Sequence, residues 1–299
     1  MSAARSRMLA LCTLLLGGLV ALSPPVRPSN HPGSVPDSPP ALSDTAAEAA
    51  VQAVEQNGGQ VERDPTRPGG PVVTVRFFGA VTDDALKPVG RLRTVTFVDL
   101  RDTEATDGCL KHLTPLKDLQ ILSIGGTRVT DEGLRDLAPF KSLTFLVLYR
   151  TRVTDDGLRH LAPLRSLNRL SLHDTGITGP GLRHLTPLRN LKDLDLSGTR
   201  VTDDSLAGVA SLTGLSELNL GNTRVTDAGL RHLARVTGLT CLWLNDTGVT
   251  GPGLRHLVSL PRLATLRLYG TELTDEGLRE LTPLTNLSFL DIRGTKVTG

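Results

Sequence analysis

Nine threonines, Thr103, Thr127, Thr151, Thr175, Thr199, Thr223, Thr247, Thr271 and Thr295, stand 24 residues apart, each inside the frame L-x-x-L-x-L-x-x-T-x-V-T or that frame with another apolar residue at an L or V position. An unbroken interval of that length rules out an ordinary globular core. Each repeat is one supersecondary unit that buries its apolar side only against its neighbours, so the chain grows by stacking coils. Full coils begin at Val95, Leu119, Leu143, Leu167, Leu191, Leu215, Leu239 and Leu263, and a partial one begins at Leu287.

Each position in the coil has a mechanical role. In the coil from Leu119, Leu122 and Ile124 are two apart and face inward as on a strand, while Ile121, Ser123 and Gly125 alternate outward. Thr127 turns the chain, and stacked threonine hydroxyls are expected to form a ladder there. Asp131 is expected to cap a short convex helix carrying Leu134 and Leu137. Two coils, with Gly179-Pro180 and Gly251-Pro252, put Gly at the cap and Pro at the first helical position, and Pro115, Pro139, Pro163, Pro187 and Pro283 return the chain to the next strand. The fold class is α/β: a solenoid of 24-residue coils with a parallel concave sheet and short convex helices.

Ahead of the array, Arg5 and Arg7 precede an apolar run from Met8 to Leu22, the layout of a secretory leader and short for a membrane span. Residues 1–23 are therefore a signal peptide or, because Pro24 follows the small-x-small site Ala21-Leu22-Ser23, an uncleaved anchor. Residues 24–44 hold seven of the 19 prolines and form an extended spacer. Residues 45–94 form an N-terminal cap: a helix from Ala46 to Gln56, capped by Asp44 or Thr45 and ended by Gly58-Gly59, then short strands and an imperfect first coil. The array covers 95–299.

The string V-T-D-x-G-L-x-x-L, at Val129–Leu137, Val153–Leu161 and Val225–Leu233, resembles the leucine-rich-repeat superfamily, in its ribonuclease-inhibitor-like, cysteine-containing type. Threonine at the ninth position and the shorter coil make it similar to bacterial exported members. The resemblance implies a protein-binding module working through its concave sheet. The same repeat type serves eukaryotic F-box proteins as substrate receptors, so an intracellular adaptor of a ubiquitin-ligase type complex is an alternative, although the residues before the array do not resemble an F-box. A glycan-binding envelope protein is another.

Net charge is +2, from 33 Lys and Arg against 31 Asp and Glu, so no global field points to nucleic acid. Local surface must choose the partner. Phe97, Phe145 and Phe289 fall at the third position, Trp243 at the fifth, and Tyr149 and Tyr269 at the seventh, all on the outward face, with Arg267 placed to lie over the indole. Asp193, Asp195, Glu217 and Asn219 form an acidic centre beside them. With His173 and Asp291 these give the candidate partner-binding set: Phe145, Tyr149, His173, Asp193, Asp195, Glu217, Asn219, Trp243, Arg267, Tyr269 and Asp291.

Sharper chemistry finds less support. Asp193 and Glu217 on adjacent strands could approach the spacing of a glycosidase pair, but an open sheet offers no dry cleft. Calcium would need more oxygens than this spacing supplies. The histidine column at 112, 160, 184, 232 and 256 is spread by the coil spacing, too wide for a shared zinc. The basic column Lys111, Arg135, Arg159, Arg183, Arg231, Arg255 and Arg279 reads as a solvated face. Cys109 and Cys241 are too far apart to bridge, and no phosphate-loop, H-E-x-x-H or G-x-S-x-G motif occurs. No catalytic residue, metal or cofactor is expected.

Overall fold

The computed structural model describes residues 44–298; the leader and most of the proline-rich spacer lie outside them. Helix α1 (Asp44–Gln56) opens the described chain. It turns Ala50, Val51 and Val54 inward, and ends where Gly58 takes φ +80° and the Gly59 N–H reaches back to the Val54 carbonyl at 2.9 Å. A glycine is favoured there because the turn needs a left-handed residue after the last helical carbonyls.

Eleven strands follow in sequence order in one sheet. They are β1 (Gln60–Arg63), β2 (Val72–Arg76), β3 (Phe97–Asp99), β4 (Ile121–Ser123), β5 (Phe145–Val147), β6 (Arg169–Ser171), β7 (Asp193–Asp195), β8 (Glu217–Asn219), β9 (Cys241–Trp243), β10 (Thr265–Arg267) and β11 (Phe289–Asp291). β1 and β2 form an antiparallel hairpin, and every pair from β2 to β11 is parallel. From β3 onward the register is constant, so Ile121 stands beside Phe97 and Phe145, and Asp193 beside Glu217. One inward residue per strand joins the coil's other apolar positions: Leu119, Leu122, Ile124, Val129, Leu134, Leu137 and Phe140 are all fully buried. The solenoid expected from the period is the fold observed.

The return segments differ in kind from the expected short helices. Most are 3-10 turns, as at Gly133–Leu137, Gly157–Leu161, Pro180–Leu185, Gly229–Arg235 and Pro252–Ser259, and only Asp107–Leu113, Leu206–Val209 and Asp275–Arg279 are α-helical. Leu134, Leu137 and Phe140 recur every third residue, a spacing that three residues per turn aligns toward the core, but Leu110, Leu113 and Leu116 share it in an α-helical segment, so the spacing alone does not select the 3-10 form.

Asp131 does not cap its own helix, as the sequence suggested; it makes no cap bond there. It instead accepts the backbone N–H of Thr154, one coil on, at 2.8 Å and the Thr154 hydroxyl at 2.6 Å. The same contact joins Asp107 to Thr130, Asp155 to Thr178, Asp203 to Thr226, Asp227 to Thr250 and Asp275 to Thr298. The ladder expected of the ninth-position threonines is also placed differently. Thr127 bonds the Ile124 carbonyl of its own coil, and its eight counterparts do likewise. These hydroxyls close turns, whereas the Asp–Thr pairs tie coil to coil.

Gly179 and Gly251 interrupt that ladder, and each takes a left-handed φ ahead of Pro180 or Pro252, at the N-cap as anticipated. The preceding aspartates compensate. Asp155 collects four bonds, two from Thr178 and one each from the N–H groups of Gly179 and Gly181 at 2.9 Å, and Asp227 repeats the arrangement. Burial alone would raise the Asp155 pKa, but the Thr178 hydroxyl and the three backbone donors outweigh it and hold the carboxyl below its usual range.

Candidate partner-binding face

The outward side chains of β3 to β11 make two parallel rows, continued by a third just past each strand, and the structure sorts the eleven sequence-predicted residues by what each is already doing. In the fifth-position row, several polar groups serve their own turns. Asp195 Oδ1 accepts the Ser197 N–H at 3.0 Å and its hydroxyl at 2.7 Å, and Asn219 Oδ1 accepts the Gly221 N–H at 3.0 Å. Asp291 is held by the Arg293 guanidinium at 2.8 and 2.7 Å and is buried, as Asp99 is by Arg101 at the other end of the row. The Arg293 hydrogen bonds lower the Asp291 pKa. Its charge is matched within the chain, so the basic partner group expected to seek it is already supplied by Arg293.

Trp243 corrects the expectation of an exposed aromatic anchor. It lies on the outward face but is only 6 % exposed. The Arg267 guanidinium stands 5.9 Å from the indole centroid and 5.7 Å from the Phe289 ring, so the predicted stack is present, and it covers Trp243. Burying the indole is favourable because its flat surface is mostly apolar. Arg267 forms no ion pair among the described residues, and its Nε is buried without a hydrogen-bond partner.

In the third row of residues, just past the strands, Tyr149 crosses Gly125 and donates its hydroxyl to Asp102 Oδ2 at 2.8 Å. Any side chain at 125 would collide with that ring. Its other face stacks on His173, with centroids 4.8 Å apart and planes 6° from parallel. Burial and the Asp102 carboxylate push the phenol up to about 12. Beside it Arg150 takes φ +49° and pairs with Asp174 at 3.2 Å. Tyr269, the other tyrosine of this row, is half-buried.

Ser171, His173 and Asp195 converge in a way the sequence reading did not isolate. Ser171 Oγ is 3.1 Å and Asp195 Oδ2 3.5 Å from one and the same ring nitrogen, His173 Nδ1. A nucleophilic relay needs the carboxylate on one imidazole nitrogen and the hydroxyl on the other. This set therefore orients the imidazole under Tyr149 and does not activate the serine. The signal for it was the row alignment of Ser171 with Asp195, one coil apart.

The row at the third position is left with unmet negative charge. Asp193 and Glu217 are in-register neighbours on β7 and β8, both half-buried. Their backbone N–H groups bond across the sheet, but neither carboxylate makes a hydrogen bond or ion pair among the described residues. Burial, then the Glu217 charge, pushes Asp193 up to about 7 against the opposing pull of Arg169, and burial also raises Glu217. Arg169 is the in-register neighbour of Asp193, yet its guanidinium stands over the Phe145 ring at 6.0 Å. Phe145, Ile121 and Phe97 then continue the row as a half-buried apolar strip.

Among the described residues, no group of three or more His, Cys, Asp or Glu side chains converges as a metal site would require, and no helix is long and apolar enough to cross a membrane. Cys109 and Cys241 are free and buried, and burial raises the Cys109 thiol pKa well above its usual range. A cleft of about 400 Å³ lies at the first ladder interruption, lined by Thr178, Gly179, Pro180, Arg183, Thr202, Asp204, Ser205 and Gly208.

The family model described as Leucine Rich repeat matches residues 116–138 and 188–210. Those two stretches carry leucine-rich repeats, and the fold is the leucine-rich-repeat solenoid. Among solved structures, an internalin (inlF) of Listeria monocytogenes is 25% identical with a TM-score of 0.58, covering 69% of this chain and 56% of its own. This chain thus spans little more than half the length of that relative. Internalin C2 of the same organism is 24% identical with a TM-score of 0.56, covering 84% of this chain and 92% of its own. No curated protein sequence matches the chain.

Proposed function

We propose that this leucine-rich-repeat chain is an exported, non-enzymatic module that binds a protein partner through the outward face of its parallel sheet. The observation that carries the reading is the Asp193–Glu217 pair: two half-buried carboxylates, adjacent by strand register, that form no ion pair or side-chain hydrogen bond among the described residues and are only partly offset by the nearby charge of Arg169. Like charges placed side by side at reduced hydration destabilise the free protein, and a partner's ammonium or guanidinium group removes that penalty on binding. The rest of the face suits the same role. Side chains such as Tyr149, His173 and Arg267 are held in place by stacking and hydrogen bonds, so little conformational freedom is lost when a partner docks.

Export is supported by the N-terminal order of Arg5, Arg7 and the apolar run from Met8 to Leu22. Expression with its own leader in a bacterium should yield an exported chain beginning near residue 22 to 24; an intact Met1 in the cytoplasmic fraction would remove this part of the proposal. For the binding face, partner capture should fall sharply in the double variant Asp193→Asn, Glu217→Gln and persist in Arg159→Ala on a return segment. Equal capture by both would count against the sheet.

A further inference from the structure

The sheet face carries unmet charge of both signs at a fixed separation, and that separation constrains the partner. The negative site is the Asp193–Glu217 pair on β7 and β8. The positive site is Arg267 on β10, whose guanidinium is fixed between Trp243 and Phe289 and whose Nε lacks a hydrogen-bond partner. Asp291, its in-register neighbour, is occupied by Arg293 in a two-pronged contact. The Arg267 Nε is buried and out of reach, and its charge already acts on Asp291, but the guanidinium forms no ion pair among the described residues, so the remaining guanidinium edge is the positive group to which an acceptor from outside would come.

The spacing follows from the sheet. With strands about 4.8 Å apart, the point between β7 and β8 lies about 12 Å from β10, and the two-residue offset along the strand lengthens this to about 14 Å. An extended chain advancing about 3.4 Å per residue covers that distance in four residues and returns its side chain to the same side. In the other direction, Phe145 on β5 also lies about 12 Å from the carboxylate pair. It continues into Ile121 and Phe97, an apolar strip on three adjacent strands.

We infer that the face recognises an extended protein segment carrying an apolar, a cationic and an anionic side chain at four-residue intervals. The apolar residue rests on Phe145 and Ile121, the cation on Asp193 and Glu217, and the carboxylate on Arg267. This inference rests on the sheet-face reading above and adds to it the chemistry and register of the partner. Arg169, between Phe145 and Asp193, reinforces the selection. It repels a cation placed one strand too early, which narrows the register to the carboxylate pair.

The test is selection of random peptides roughly twelve residues long, displayed on phage, against the full chain, because that length covers the whole proposed register. Enriched sequences should carry a Lys or Arg and an Asp or Glu four residues apart, with an apolar residue four residues beyond the cation. A synthetic copy of the most enriched peptide should bind about tenfold more weakly to Asp193→Asn, Glu217→Gln and to Arg267→Gln, each checked for native unfolding behaviour. Peptides that depend on Phe145 but show no paired charges, and bind these variants unchanged, would overturn the register and leave the sheet-face reading standing. Absence of any enriched peptide sensitive to Phe145→Ala, Asp193→Asn or Arg267→Gln would overturn both.

Discussion

Asp155→Ala should destabilise the array more than the same change at Asp131, although both residues hold the same repeat position. Asp131 accepts two bonds, from the Thr154 N–H and hydroxyl. Asp155 accepts four, because the next coil has Gly179 in place of an aspartate and turns two further N–H groups toward it. A hydrogen bond to a charged group contributes on the order of 1.5–3 kcal/mol when buried. Both carboxylates are only half-buried, and bonds sharing one acceptor group are not additive, so about 1–2 kcal/mol is expected for Asp131→Ala and about 3–4 kcal/mol for Asp155→Ala. Urea unfolding followed by circular dichroism measures both. The pH dependence gives an independent check. Because the folded Asp155 pKa is depressed, its contribution is present above the unfolded value near 4 and is lost as pH falls through the lower folded value. The gap between wild type and Asp155→Ala should therefore close in acid. Equal losses at the two sites, or a gap independent of pH, would refute the claim that the Gly–Pro coils are held by the preceding carboxylate.

Three further outcomes follow from local geometry. Arg150→Gly should raise stability by about 0.5 kcal/mol in denaturant titration, since φ +49° strains a residue with a Cβ and the ion pair to Asp174 is exposed; a loss would show the side chain contributes more than its strain. Gly157→Ala should cost about 1–3 kcal/mol, because the new methyl group meets the Asp131 carboxylate already fixed by Thr154; calorimetry showing an unchanged melting temperature would contradict this. Asp193→Asn should stabilise the protein at pH 8 by about 1–2 kcal/mol, after discounting for its partial exposure, by roughly a third of that at pH 5, and not at pH 4. The sign follows from its raised folded pKa of about 7: the folded state binds the proton more tightly, so ionised Asp193 is destabilising above pH 7 and that penalty fades as pH falls toward 4. Destabilisation at pH 8 would mean the carboxylate has a partner in the folded state.

Features set by side-chain period were legible in the sequence. The alternation around Leu122 fixed which residues face outward, and the 24-residue interval fixed which of them become neighbours, so Asp193 beside Glu217 and Arg267 beside Trp243 could be anticipated. Features set by contacts between coils were not. The aspartate of V-T-D looks like a local cap because the string is local, but its donors lie 23 residues on, and only the stacking of coils brings Thr154 to Asp131. The three-residue spacing of Leu134, Leu137 and Phe140 suits a 3-10 return segment, but Leu110, Leu113 and Leu116 have the same spacing in an α-helical one, so the sequence does not separate the two forms. Exposure was the least legible property. Alternation gives the direction of Trp243 from the sheet, but not that Arg267 lies over its ring and that the indole is buried. Likewise, row alignment could not show that Asp195, Asn219 and Asp291 spend their acceptors on their own turns, leaving Asp193 and Glu217 as the unmatched pair.

Photo-crosslinking tests the central claim most directly. A benzoyl-phenylalanine placed at Phe145 or Thr265 on the sheet face, or at Arg159 or Arg231 on the return segments, is irradiated in cells producing the full chain. The account predicts a discrete protein adduct from the two sheet positions, lost when Asp193→Asn and Glu217→Gln are added, and none from the return-segment positions. An adduct formed only from Arg159 or Arg231, or one from the sheet that survives loss of both carboxylates, would contradict it.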